Sequence, residues 1–271
     1  MAHIKLKGVD FSYPVIQLSD RSLKIAIMRN IVGSRIVSRA NKVEVQALVG
    51  IDLDLKEGDR LGVIGRNGSG KSTLLRLLAG LLRPDSGEFE VEGRIVSTMT
   101  RGLGMTPERT GRQNIELPLR LLGATDEEVR EAHAFVPEWT GLGPYFDFPM
   151  RTYSDGMRAR VSFAISTSVR GDILILDEWM NAGDVDFVAK ARQRLTDMVS
   201  ASGIVILCSH GMAIIEQICT KVCWLDQGRI VMIGPPRPVI NAYRQAELHD
   251  SGAARKEPVL AEEPRVPALE S

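Results

Sequence analysis

The stretch LGVIGRNGSGKSTLLRLLAGL, Leu61 to Leu81, constrains the fold more tightly than any other part of the chain. An apolar run suited to a buried strand leads into GRNGSGKST, and an amphipathic run of Leu, Arg and Ala follows. That order of strand, loop and helix is the context the pattern GxxxxGK[ST] requires. Gly65, Gly68 and Gly70 let consecutive amides turn inward around phosphate oxygens, and the following helix aims its positive end at the same place. The whole loop, Gly65, Arg66, Asn67, Gly68, Ser69, Gly70, Lys71, Ser72 and Thr73, is therefore expected to hold a nucleotide. Lys71 reaches the β- and γ-phosphates in this arrangement, and the Ser72 hydroxyl takes a magnesium position. A chain built around such a unit is expected to be α/β with a mostly parallel core sheet.

Two further runs supply partner groups for that loop. GDILILDEWMN, Gly171 to Asn181, places four apolar residues before Asp177 and Glu178. Open α/β sheets bind ligands at the carboxyl ends of their strands. Asp177 thus fits a carboxylate that holds magnesium, and Glu178 one that polarises an attacking water. GIVILCSH, Gly203 to His210, ends in a histidine, and at the tip of a parallel strand such a ring can touch a γ-phosphate.

Composition sets limits around this site. The 271 residues suffice for one large α/β domain or two smaller lobes. Lys plus Arg equals Asp plus Glu at 34 each, which argues against a nucleic-acid partner. Cys208, Cys219 and Cys223 are odd in number and lack zinc-ligand spacing, as expected of buried thiols in a reducing compartment. The amino-terminal MAHIKLKGVDFSYP has no apolar leader core, and no run approaches a membrane span, so a cytosolic chain is expected unless something recruits it.

The stretch TYSDGMRAR, Thr152 to Arg160, precedes a helical run. Read locally, Ser154 or Asp155 accepts a bond from an unpaired amide at the helix start, and Gly156 relaxes the backbone there. The order of motifs offers a second role. A phosphate loop, then Ser-x-Gly before a helix, then a strand ending in Asp-Glu, then Asp184, then His210 at a strand end, resembles the ATP-binding-cassette ATPases. The resemblance implies a P-loop fold with an antiparallel β layer and a helical signature subdomain, and ATP and Mg2+ as ligands. It makes YSDGM the counterpart of the signature LSGGQ, so that Ser154, Asp155, Gly156 and Met157 face ATP held by the opposite subunit of a homodimer. It also makes Glu178 and His210 the catalytic pair, places Asp184 in the D-loop, and makes Tyr13, in FSYP, the ring that stacks on adenine.

Tyr153, Asp155 and Met157 replace the Leu, Gly and Gln of the common signature. YSxGM followed by xAR, and TPERTGRQNIEL from Thr106 to Leu117, are similar to the subgroup that exports O-antigen, capsule or teichoic-acid polymers. This implies an ATPase subunit that drives a lipid-linked polysaccharide across the inner membrane, working at its cytoplasmic face with integral-membrane permease subunits. The alternatives are an exporter of teichoic acid or another lipid-linked polymer, and a soluble cassette ATPase with no transport role. The family's Q-loop glutamine is not found after the strand ending near Met99, since Gln113 sits too late. About thirty residues follow Pro238, too few for a carbohydrate-binding β-sandwich, so the polymer is expected to be read by the permease.

The organisation expected from these runs is a cassette over 1–240 with a helical lobe at about 100–157, in which Thr125 or Asp126 caps a helix of acidic first turn. An insertion at about 17–42 carries Arg21, Lys24, Arg29, Arg35, Arg39 and Lys42 against Asp20 alone. Ile25, Met28, Val32 and Ile36 recur at helical spacing, so the insertion reads as a basic amphipathic helix. Such a helix lies on anionic headgroups, docks on a membrane subunit, or is simply a solvated surface helix. Residues 245–271 are poor in large apolar groups and are expected to form a disordered tail.

Overall fold

The computed structural model describes residues 1–15, 36–39, 42–100, 102–177, 185–209 and 211–253. The chain opens with β1 (His3–Val15), β2 (Ile36–Arg39) and β3 (Lys42–Lys56), then β4 (Arg60–Ile64) leads through the glycine-rich loop into α1 (Lys71–Leu78). β5 (Ser86–Glu92) and β6 (Ile95–Ser97) precede a lobe built from α2 (Glu116–Leu121), α3 (Asp126–Thr140) and α4 (Asp155–Ser166), with short 3-10 turns between them. The chain then alternates β7 (Ile173–Asp177), α5 (Val185–Ala201), β8 (Ile204–Cys208) and α6 (Met212–Ile218), and closes with β9 (Lys221–Asp226), β10 (Arg229–Gly234) and α7 (Pro236–Ala253).

Two sheets result. One is antiparallel with strand order β2-β3-β1-β5, and the other runs β10-β9-β4-β8-β7-β6, parallel except for the β10–β9 pair. The expected parallel core with an amino-terminal antiparallel layer is what forms. RLGVI, ILILD and IVILC lack polar alternation because both faces of their strands are covered. On one face Leu74, Leu75, Leu77 and Leu78 of α1 fill the space between the sheets with Ile4, Leu55 and Ile206. On the other, Val161 of α4, Leu195 of α5 and Ile215 of α6 pack with Leu174 and Leu207. A Cβ at Gly62 would meet Ile215 Cγ2 at 2.6 Å, so the bare backbone of β4 lets α6 close on the sheet directly behind the phosphate loop.

The expected helix over the basic insertion needs correction at its end: Ile36–Arg39 is a strand, registered antiparallel on β3 from Ile36 opposite Val45 to Arg39 opposite Lys42. β-Branched Ile36 and Val37 suit a strand as well as a helix, and the exposed edge of β3 decides between them. Residues 17–35, 40 and 41, the rest of that expected insertion, lie outside the described residues. The expected tail also begins too early. α7 continues past residue 245 to Ala253, because Val239, Ile240 and Tyr243 are buried and Tyr243 Oη donates to Glu247 at 2.6 Å one turn on. Residues 254–271 lie outside the described residues. Among those described, no helix is long and apolar enough to cross a membrane.

Candidate functional site

Backbone geometry forms the glycine-rich loop. Gly65, Gly68 and Gly70 have φ of 148°, 76° and 109°. A Cβ on Gly65 would sit 2.1 Å from the Leu225 carbonyl oxygen, and one on Gly70 would sit 2.7 Å from that of Ala47, so at both positions only glycine fits. The Ser69 amide donates to Arg66 O at 3.0 Å, and the Gly228 amide donates to Ser69 O at 2.8 Å, which ties the loop to the β9–β10 turn. Gly70 caps α1 without a side-chain acceptor, so the first amides of that helix face the loop. Lys71 Nζ donates to Gly65 O at 2.6 Å and to Arg66 O at 3.0 Å, which holds the ammonium over the cradle.

A cavity of about 280 Å³ opens beside this loop and brings Asn67, Gly68, Lys71, Ser72 and Thr73 together with Asp177. Asp177 is the last residue of β7, in register with Cys208 of β8, which lines the same cavity. The Asp177 amide donates to Thr98 Oγ1 at 3.3 Å. Thr98, buried just past β6, is a residue the motif reading missed, because only the pairing of β6 with β7 brings it to the Asp177 backbone. The Ser72 hydroxyl and the Asp177 carboxylate on this cavity are hard oxygen donors, a kind that suits Mg2+ when substrate phosphates and water complete the shell. The three cysteines are buried, and burial pushes the Cys219 and Cys223 thiols up to about 12, as suits inert core residues.

Ser154 lies away from that cavity, on the lobe. It is the N-cap of α4, with its Oγ accepting from the Met157 amide at 3.2 Å, so the capping role read locally is realised. Ser154, Asp155 and Gly156 are nonetheless exposed. Asp155 pairs with Arg158, whose Nη1 also donates to Tyr153 O at 2.6 Å. Tyr153 itself is 3% exposed, and its Oη donates to Phe146 O at 3.0 Å and accepts from the Gly111 amide at 3.2 Å. Burial pushes its phenol above the ordinary value despite the Gly111 bond, so the hydroxyl keeps its proton. Several contacts pin the lobe to the core. Arg94 Nη1 bonds both Glu128 oxygens at 2.8 and 3.0 Å, and Arg160 of α4 stands 5.4 Å over the Phe187 ring of α5. Glu128 also completes a capping box with Thr125, which settles Thr125 as the cap of α3.

Tyr13 is opposite Val45 on β1 and edge-on to Phe11, with its hydroxyl buried and without a hydrogen-bond partner among the described residues. Val45 lines the cavity, while the Tyr13 ring packs against the inter-sheet core. Glu178, Asp184 and His210 lie outside the described residues.

A phosphate loop at the end of a parallel strand, a carboxylate at the end of a second parallel strand two places along the same sheet, and a separate helical lobe bearing an exposed Ser-x-Gly cap define a nucleotide-binding cassette. The chain belongs to the ABC transporter family, whose match spans residues 48–181. It is 38% identical over 231 residues to the O-antigen export system ATP-binding protein RfbE of Yersinia enterocolitica, covering 85% of this chain and 97% of that relative. It is 34% identical over 217 residues to the teichoic acids export ATP-binding protein TagH of Lactococcus lactis, covering 80% of this chain but 46% of TagH. Among solved structures, the dimeric ATP-binding cassette MJ0796 bound to ADP and Pi superimposes with a TM-score of 0.62 at 21% identity, over 86% of this chain and 99% of that one.

Proposed function

We propose that the chain is the ATP-hydrolysing subunit of an exporter that moves a lipid-linked polysaccharide, an O-antigen or a capsule, across the inner membrane from its cytoplasmic face. The observation that carries this reading is the convergence of Lys71, Ser72 and Asp177 on one cavity, in a chain alike to an O-antigen export relative over nearly that relative's whole length. Two copies face each other, so that Ser154 and Gly156 of one reach the γ-phosphate on the loop of the other. Their exposure at the head of α4, away from their own chain's cavity, suits that role. Asp155 and Met157 frame the contact.

Ser72 and Asp177 hold Mg2+ against the β- and γ-phosphates, and the bound ion neutralises charge there. Tyr13 stacks on adenine, Glu178 polarises the water that attacks in line, His210 contacts the γ-phosphate, and Asp184 belongs to the D-loop. An integral-membrane permease docks beside a cavity of about 340 Å³ that borders Met105, Pro107 and Met150, near exposed Leu103, Leu117 and Leu121. The basic residues of 17–42 face anionic headgroups beside that permease. A teichoic-acid or other lipid-linked polymer is the second reading, favoured by the likeness to TagH.

Glu178→Gln tests the chemistry because it keeps the side chain's shape and removes the carboxylate. ATP binding is expected to persist while turnover falls by ~10²–10⁴-fold, and ATP-bound dimer accumulates. Hydrolysis within about tenfold of the unmodified protein overturns the assignment. Loss of surface polymer in cells whose only copy carries Glu178→Gln is the matching result for transport.

A further inference from the structure

Two departures from the common cassette pattern, Tyr153 before the signature serine and the TGRQN run at Thr110–Asn114, meet in space although about forty residues separate them. The phenol of Tyr153 is the joint. It accepts the Gly111 amide and donates to the Phe146 carbonyl, both buried bonds. The fit is close on the other side as well, since a Cβ on Gly111 would stand 2.8 Å from Tyr153 Oη and 2.9 Å from the Phe146 ring. The loop around Gly111 is itself densely hydrogen-bonded. Asn114, 1% exposed, accepts from the Thr106 amide at 2.7 Å and donates to the carbonyls of Thr106, Arg109 and Thr110 at 2.9 to 3.2 Å. The Met150 and Arg151 amides donate to Arg109 O at 2.9 Å and Pro107 O at 2.8 Å. Residues 106–114 and 146–153 therefore form one block, and the next residue along the chain is Ser154.

We propose that Tyr153 is a positioning residue for the signature: its hydroxyl joins the 106–114 loop to the head of α4 and so sets where Ser154 stands. The proposal rests on the reading that Ser154 serves ATP hydrolysis. Leucine, which the common signature carries here, leaves the Gly111 amide and the Phe146 carbonyl unpaired in this chain, although it is apolar and of ample size. A displacement of the loop surface near exposed Leu117 and Leu121 is then transmitted to Ser154 without any change at the phosphate loop.

The test compares Tyr153→Phe, Tyr153→Leu and Ser154→Ala in the full-length chain, reading kcat, KM for ATP, binding of a fluorescent ATP analogue and thermal unfolding. Tyr153→Phe keeps the ring in its site, so the protein stays folded. Its kcat is expected to fall on the order of tenfold, as a misplaced contact group requires, with KM and analogue affinity within about twofold. Tyr153→Leu is expected to behave the same way or worse, and reinstating tyrosine restores turnover. Unchanged kcat in Tyr153→Phe, alongside a clear defect in Ser154→Ala, overturns the positioning role and leaves the signature reading intact. Unchanged kcat per folded molecule in Ser154→Ala overturns the signature reading itself. Should Tyr153→Leu fail to fold, the phenylalanine variant alone decides. A loss in that variant seen only in unfolding temperature makes the phenol merely structural and also counts against the proposal.

Discussion

In the phosphate loop the backbone decides, whereas around Ser154 the backbone is ordinary and long polar side chains decide. Gly65 and Gly70 occupy conformations and gaps that no other residue fits, and the loop's own residues are nine in a row, 65–73. The head of α4 has no positive-φ residue; it depends on Tyr153, which reaches Gly111 far along the chain, and on Asn114 and Arg158, whose side chains fix the two joined segments locally. Anion cradles need amides at fixed angles, which local geometry supplies.

The contrast can be broken most directly at Gly65. Gly65→Ala sets a Cβ 2.1 Å from a carbonyl oxygen and forces positive φ on alanine, a loss of about 4 kcal/mol or more that thermal unfolding should read along with lost nucleotide binding. Gly68→Ala is the control: no atom lies within 4 Å of its Cβ, so only the φ of 76° is strained, at about 1 kcal/mol. Equal effects at the two positions contradict a backbone-determined loop.

On the side-chain-determined lobe, Asn114→Ala removes four side-chain bonds and leaves the Thr106 amide without its partner, while the Thr106, Arg109 and Thr110 carbonyls keep backbone donors; it is expected to cost about 1–3 kcal/mol in chemical denaturation, with nucleotide affinity within about twofold. A matching loss of affinity shows that lobe and loop are not separable.

The smallest effect is expected at the Arg94–Glu128 pin. Burial pushes the Glu128 carboxyl up, but the Arg94 and Thr125 hydrogen bonds outweigh it and hold the group below its ordinary value of 4.5. A carboxyl depressed in the folded state stabilises fully above its unfolded value and stops doing so as pH falls through its folded one. Glu128→Gln should therefore cost about 1 kcal/mol at neutral pH, a difference that shrinks as pH drops below 4.5. A pH-independent difference shows that the ion pair contributes nothing to holding the lobe.

Legibility from the sequence follows the same divide. Lys71, Ser72 and Asp177 were readable because each sits at a set offset from an apolar strand, and the strands themselves are unbroken apolar runs. Ser154 was readable as a cap because a cap needs only the next three residues. Thr98 was not, since its partner amide is far along the chain and only the β6–β7 register unites them. Ile36–Arg39 misled because apolar residues at helical spacing also fit a short strand once an edge is offered. The end of α7 was placed too early because its helix gains from Tyr243 packing edge-on to Trp224 of β9, a contact that composition cannot register.

By itself, then, the sequence determined the phosphate cradle, the parallel strands that carry it and the cap at Ser154, because these depend on φ preferences, apolar runs and hydrogen bonds spanning a few residues. Only the tertiary structure decided that Thr98 stands at Asp177, that β3 recruits residues 36–39, and that Tyr153 closes on Gly111. Each of those needs two distant segments brought within hydrogen-bond range, and that proximity comes from burying the faces of the sheets and of the lobe together, which no short stretch of chain encodes.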